Sequence, residues 1–303
     1  MFPCCGPGHS NRTMGRGHMN ARVISCVVFG VGVSAPSLAG APTPSASEIA
    51  ERSLYMSYYQ GKDMKARCVL SIEARKGRVR TREFTLLRLD MEGRGKSKDE
   101  SGEARESVGR WARSGRQRLY LYFHHPDDVK GMSLLTWRSR GAPDARWLYL
   151  PALDLVKRIA PGDGRTRFAG SDFFYQDLSG RDPEDDAYVL RETTDDYYLL
   201  DATPVDAGSV KYVRVEAWIH RQSYLPVRLT YYDRKGQAYR KYETLEVKTI
   251  QGRQVATKVR MSDLKRGRSS TIEYSRISFD SGIKTEVFAE RYLRMPPAEY
   301  IKK

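Results

Sequence analysis

MKARCVLSIEARKGRVRTREFTLLRL, residues 64–89, decides the fold. Met64, Ala66, Cys68, Leu70 and Ile72 alternate with Lys65, Arg67, Ser71 and Glu73, and a hydrophobic period of two marks a strand buried on one face. Lys76-Gly77 is a turn signal, and Phe84, Leu86 and Leu89 follow on a second long run, so the stretch predicts a β-hairpin. The same pattern recurs towards the C-terminus. Leu119, Leu121 and Phe123 alternate with Tyr120 and Tyr122; residues 132–137 and 147–150 follow, separated by the turn Arg140-Gly141-Ala142-Pro143-Asp144. Residues 188–193, 196–204, 212–220, 226–233, 239–250, 255–264 and 270–279 then read as strands with turn signals between them, such as Arg234-Lys235-Gly236-Gln237 and Gln251-Gly252-Arg253.

Three stretches break the strand pattern. Residues 47–59 predict a helix with Ser47 as N-cap and Ile49, Leu54, Met56 and Tyr58 on its apolar side. Residues 93–105 are charged and rich in Gly and Ser, the composition of a solvated loop. From Leu153 to Asp186 the chain is rich in Gly, Pro and Asp, which predicts loops and short helices, and 288–295 predicts a short closing helix. The total is about eleven strands in one domain over 47–303. Twist accumulates across an antiparallel sheet of that width, so it must curl. The predicted class is mainly β: a curved antiparallel half-barrel with a few helices covering the open mouth. Its concave side either holds an apolar cavity, as in barrel-like lipid binders, or is filled by its own side chains.

The N-terminus predicts export. Arg16, His18 and Arg22 precede an apolar run over 23–33, and small residues follow at Ser37-Leu38-Ala39 and Ala39-Gly40-Ala41, the order of a secretory signal. The expected organisation is a signal peptide over 1–39, with Met14 or Met19 as alternative starts to Met1, then a linker over 40–46 and the domain. Cleavage removes Cys4, Cys5 and Cys26 and leaves Cys68 alone, which excludes an internal disulfide. The net charge of +15 stays strongly positive after Arg12, Arg16 and Arg22 are lost, and this suits an anionic surface.

Residues with catalytic potential are few. His124-His125 with Asp127-Asp128 gathers metal-type ligands, but adjacent strand residues point to opposite faces, and a turn leading into Gly131 is the better expectation. Asp185-Asp186 and Asp195-Asp196 border turns, where Asp caps and solvates without catalytic duty. The chain contains no nucleophile elbow, phosphate loop, HExxH or dinucleotide fingerprint. The prediction is therefore no catalytic site, no metal and no cofactor. Tyrosines beside basic residues, at Tyr212 and Arg214, Tyr231-Tyr232 and Arg234, and Tyr239-Arg240-Lys241-Tyr242, are expected to face headgroups or solvent rather than nucleic acid.

An ordered set in the middle of the chain carries a family resemblance. Phe123-His124-His125-Pro126-Asp127-Asp128-Val129-Lys130-Gly131 leads through Leu134-Leu135-Thr136-Trp137 to Trp147-Leu148-Tyr149-Leu150-Pro151-Ala152-Leu153; Val156-Lys157-Arg158-Ile159, Gly170-Ser171-Asp172-Phe173 and Asp177-Leu178 follow. Tyr224-Leu225-Pro226, Tyr231-Tyr232-Asp233 and Gly236 extend it. The set resembles the outer-membrane lipoprotein-sorting protein family, the LolA-like carriers, especially the branch of larger uncharacterised members. The resemblance implies a LolA/LolB-like half-barrel in the periplasm, a concave apolar surface holding a lipoprotein acyl chain or another lipid, and no catalytic site. The expected partners are an inner-membrane exporter and an outer-membrane acceptor, with transient contact with the membrane surface, no nucleic acid and a monomeric state; an accessory lipid-binding or adaptor role for an inner-membrane exporter of the RND type is the alternative. The alternating apolar strand positions chosen as cavity liners are Leu70, Leu121, Phe123, Leu135, Trp137, Leu148, Leu150, Val213, Val215, Leu229, Tyr231 and Val259.

Overall fold

The computed structural model describes residues 43–75, 77–91 and 115–301. The expected signal peptide and the expected loop over 93–105 lie outside these residues. Helix α1 (Ala46–Tyr58) opens the described chain. Its N-cap is Ser45 rather than Ser47: the Ser45 hydroxyl accepts from Glu48 N at 3.2 Å, and Glu48 Oε2 accepts from Ser45 N at 2.7 Å. A carboxylate three residues on completes this reciprocal cap, which satisfies two otherwise orphaned donors.

The strands are β1 (Asp63–Glu73), β2 (Val79–Asp90), β3 (Gln117–His125), β4 (Ser133–Ser139), β5 (Ala142–Leu150), β6 (Leu155–Ile159), β7 (Asp186–Thr193), β8 (Tyr197–Pro204), β9 (Arg214–His220), β10 (Pro226–Tyr232), β11 (Ala238–Ile250), β12 (Arg253–Asp263) and β13 (Arg268–Phe279). They form one open, curved antiparallel sheet in the order β6-β5-β4-β3-β2-β1-β13-β12-β11-β10-β9-β8-β7. The 64–89 hairpin is real, with Cys68 opposite Phe84 and Gly77 at φ 75° in its turn. The sheet has 13 strands rather than about eleven. Strand β6 is only five residues long and sits inside the Gly/Pro/Asp-rich stretch, so its period was too short to read. The expected turn at 140–144 shrinks to Arg140-Gly141, because Ala142 and its neighbours already pair with β4.

Only the first half of the sheet is buried on both faces. On the inner face Phe84, Leu119, Leu121, Leu134 and Ile272 form one core. On the outer face Leu87, Tyr120, Leu135 and Trp147 pack under the C-terminal segment, through Ile283, Val287, Phe288 and Leu293. That segment contains a 3-10 turn (Thr285–Phe288) and the short helices α2 (Arg291–Arg294) and α3 (Ala298–Ile301). It is fixed by hydrogen bonds to its carbonyls from Tyr120, Ser133 and Trp137 at 2.8–2.9 Å. Asp63, 1% exposed, holds the start of the segment by accepting from the backbone of Ser281, Gly282 and Ile283. Among the described residues no helix is long and apolar enough to cross a membrane.

Candidate functional site

Between strands β6 and β7 the chain crosses the concave face as a strap over 160–185, built from 3-10 turns. Ion pairs to the sheet bind it down: Asp182 with Arg138, Asp177 with Arg240 and, at 2.6 Å, Arg167 with Asp263, while Arg167 also pairs with Asp172 within the strap. Asp172 is almost fully buried and also accepts from Arg268 Nε at 2.7 Å and from the Ser270 hydroxyl at 2.8 Å. Helix α1 lies beside the strap. The Tyr58 hydroxyl donates to Asp177 O at 3.0 Å, and at Gly180, φ 77°, a Cβ would sit 2.8 Å from Leu54 and Tyr58. Only glycine permits that approach.

Sheet, helix and strap enclose a cavity of about 310 Å³. Its walls are mostly apolar: Leu54 from α1, Phe173 and Leu178 from the strap, and Leu119, Leu200, Ala217, Met261 and Ile272 from the sheet. The volume lies at the lower end of the roughly 300–1,000 Å³ typical of small-molecule sites. Besides Tyr188 and Tyr212, four tyrosines, Tyr58, Tyr231, Tyr242 and Tyr274, add phenol groups to the wall. Burial pushes all four pKa values up, that of Tyr242 to about 12, so each phenol stays neutral and able to donate.

The polar part of the lining was not foreseen. Arg88 and Gln117 follow the inward alternation of β2 and β3 but carry polar heads, and both donate to Tyr58 O, at 2.5 and 2.7 Å. Arg88 also caps the carbonyls of Gln60 and Gly61. Burial pushes its pKa down to about 10, and it remains a cation at neutral pH. A charged residue in register with Phe84 and Leu86 was the available signal.

Asp186, expected in a solvated turn, is instead 8% exposed and lines the cavity. It accepts from Arg181 Nε at 2.8 Å and from the Tyr212 hydroxyl at 3.2 Å. Burial raises its pKa against the opposing pull of Arg181. A raised folded-state value means that native Asp186 holds its proton to higher pH than the unfolded chain, so its contribution to stability falls as pH rises through the ordinary carboxylate range to the raised value. Wild type should therefore lose melting temperature relative to Asp186→Asn across that window; thermal scans of both proteins at several pH values would show it.

The sequence-chosen liners divide into groups. Leu121, Val215, Leu229, Tyr231 and Val259 do line the cavity. Leu70 and Phe123 point to the same side but are sealed in the core. Strap residue Phe168 fills the space above, its ring 5.9 Å from Phe84 and 5.8 Å from Phe123. Leu148 and Leu150 pack half-buried against that core, beyond the cavity. Leu135 and Trp137 belong to the outer face; β4 is buried on both sides, so Leu134-Leu135 gave no parity. Val213 misses the lining because Tyr212 and Val215 both face inward, which breaks the alternation between them.

The other candidates resolve simply. His124 Nε2 shares a 2.8 Å hydrogen bond with the Thr85 hydroxyl, and 126–131 is the expected turn, with Gly131 at φ 81°. Among the described residues no group of three metal-type ligands occurs. Asp195 and Asp196 are exposed in the β7–β8 turn. Arg240, expected at headgroups or solvent, is instead buried between Phe174, 4.0 Å away, and Tyr231, 5.2 Å away.

Residues 115–295 match a protein family described as uncharacterised protein. No curated protein matches the chain. Among solved structures, a DUF1329 family protein from Desulfovibrio piger is 25% identical with a TM-score of 0.69, over 82% of this chain and 97% of the other. A proposed outer membrane lipoprotein-sorting protein domain from Vibrio parahaemolyticus is 25% identical with a TM-score of 0.68, over 82% and 98%. A LolA superfamily protein from Nitrosomonas europaea, 18% identical with a TM-score of 0.59 over 82% and 100%, shares the fold. With well over half its length in the family match, the chain belongs to that uncharacterised family, and it shares its fold with the lipoprotein-sorting and LolA superfamily structures.

Proposed function

We propose that the protein is a periplasmic carrier, not an enzyme, that holds the acyl chains of a lipoprotein or a lipid in the cavity and passes them towards the outer membrane. The cavity between the curved sheet, α1 and the strap carries this reading, because its own side chains leave it open. Burying an acyl chain gains about 0.8 kcal/mol per methylene, so a dozen methylenes supply roughly 10 kcal/mol. Association and ordering cost about 4–15 kcal/mol, so the net affinity stays modest and the cargo can be handed on. The reading includes export by cleavage of residues 1–39, a linker over 40–46, one carrier domain over 47–303, and Leu121, Val215, Leu229, Tyr231 and Val259 as cargo contacts. It includes an inner-membrane exporter and an outer-membrane acceptor as partners; service to an RND-type exporter as an accessory lipid-binding or adaptor protein is the alternative.

Native mass spectrometry of protein purified from periplasm tests it. The expected spectrum contains a protein–lipid adduct that disappears on delipidation. Repeated spectra with bare protein alone would contradict the carrier role.

A further inference from the structure

Six hairpin turns line one rim of the half-barrel; β3–β4 and β5–β6 carry the exposed acids Asp127, Asp128 and Asp154, and the four that follow side by side are β1–β2, β12–β13, β10–β11 and β8–β9. Each of these four carries exposed cations. Arg75 and Arg78 stand on the first, Lys265 and Arg266 on the second, Arg234 and Lys235 on the third, and Lys211 on the fourth. The acids among them are Asp206, Asp233 and Asp263; Asp233 is paired with Lys265 and Asp263 with Arg266, which leaves Arg75, Arg78, Arg234, Lys235 and Lys211 as the cations in excess. The turns are contiguous in space: a Cβ on Gly267 would lie 3.8 Å from the Arg75 side chain, and the Asp233–Lys265 pair joins the second turn to the third. The opposite rim is close to neutral, with Asp195 and Asp196 exposed in one turn against Lys62 and Arg221, and Arg253 neutralised by Asp280 at 2.6 Å.

Lys211, Arg234, Lys235 and Lys265 line a second pocket of about 460 Å³, together with one carboxylate, Asp233, which is paired with Lys265. Tyr212 is a wall of both this pocket and the apolar cavity. The same turns expose apolar side chains, Val205 at 72% and Leu264 at 43%. Cations with protruding aliphatic groups suit the headgroup zone of a bilayer, where both are satisfied. A nucleic-acid strand would use the cations but not the aliphatic groups.

We propose that this basic rim docks the protein on an anionic phospholipid surface, with a lipid phosphate seated in the second pocket, one side chain away from the acyl cavity. The proposal deepens the carrier reading and rests on it, yet the two fail separately, since vesicle binding reads the rim and fatty-acid uptake reads the cavity.

Flotation with vesicles of phosphatidylcholine alone and of phosphatidylcholine with phosphatidylglycerol, using the full exported chain, tests it. Wild type is expected to float with the anionic vesicles only and to be released by salt. Each cation near such a surface is worth roughly fivefold, so Lys211→Glu, Arg234→Glu and Lys235→Glu together should weaken flotation by about a hundredfold or more. None of the three lines the cavity, so this variant should take up a fluorescent fatty acid as wild type does. Val205→Ser with Leu264→Ser should weaken flotation by a smaller factor. Equal flotation with neutral vesicles, an unaffected triple variant, or displacement from anionic vesicles by a short single-stranded oligonucleotide that binds more tightly would each overturn the proposal.

Discussion

Replacing Ala217 with phenylalanine is expected to abolish uptake of a fluorescent fatty acid. Ala217 sits on β9 with its side chain on the cavity wall, between Leu200 of β8 and Leu229 of β10 in the strand register. Those neighbours block sideways rotamers, so a phenyl ring has only the cavity to enter. Displacing about four methylenes of cargo forfeits roughly 3 kcal/mol, close to a hundredfold in affinity. Overpacking itself costs about 1–3 kcal/mol, so circular dichroism melts must accompany the titration. Ala217→Val should give an intermediate loss with a near-native melt. A folded Ala217→Phe protein with undiminished uptake would mean that cargo does not enter here.

Replacing Asp172 with alanine is expected to cost about 3 kcal/mol of stability. The carboxylate is buried, joins Arg167 to Arg268 and accepts from the Ser270 hydroxyl; without it two guanidinium groups face each other under the strap. Removing one partner of a buried ion pair is far costlier than the net worth of the pair, because the remaining charge stays desolvated. For a domain of this size the melting temperature should fall by roughly 10 °C. Limited proteolysis should place the first new cut in the strap. A melt within about a degree of wild type would show that the Asp172 cluster does not hold the strap down.

What could be read in the sequence follows from which physical signals are local. The 64–89 hairpin was legible because alternation, a turn glycine and a second run all lie within one window, and the same holds for most later strands. Strand β6 failed for want of length. Face assignment failed where a strand is apolar on both sides: Leu134 and Leu135 face opposite cores, and the core over Leu135 is a segment more than 140 residues later in the chain. The strap was legible only as a Gly/Pro/Asp-rich stretch. What makes it a lid is a set of pairs such as Arg240 with Asp177 and Arg167 with Asp263, which have no characteristic sequence spacing. Asp186 was misread for the same reason, since its burial depends on Arg181 and Tyr212 arriving from either side.

The cavity also explains why its lining mixes apolar and phenolic groups. On the proposed carrier reading, apolar walls would drive entry, while neutral tyrosine hydroxyls would offer weak donors to an ester or acid group without adding charge that a tail would avoid.

Photocrosslinking with a diazirine-bearing fatty acid, followed by peptide mapping, addresses the central claim most directly. The labels should fall on the inward residues Leu121, Val215, Leu229, Tyr231 and Val259 and on α1, and should vanish in Ala217→Phe. Labels confined to the outer face around Leu135 and Trp137, or none above background, would contradict it.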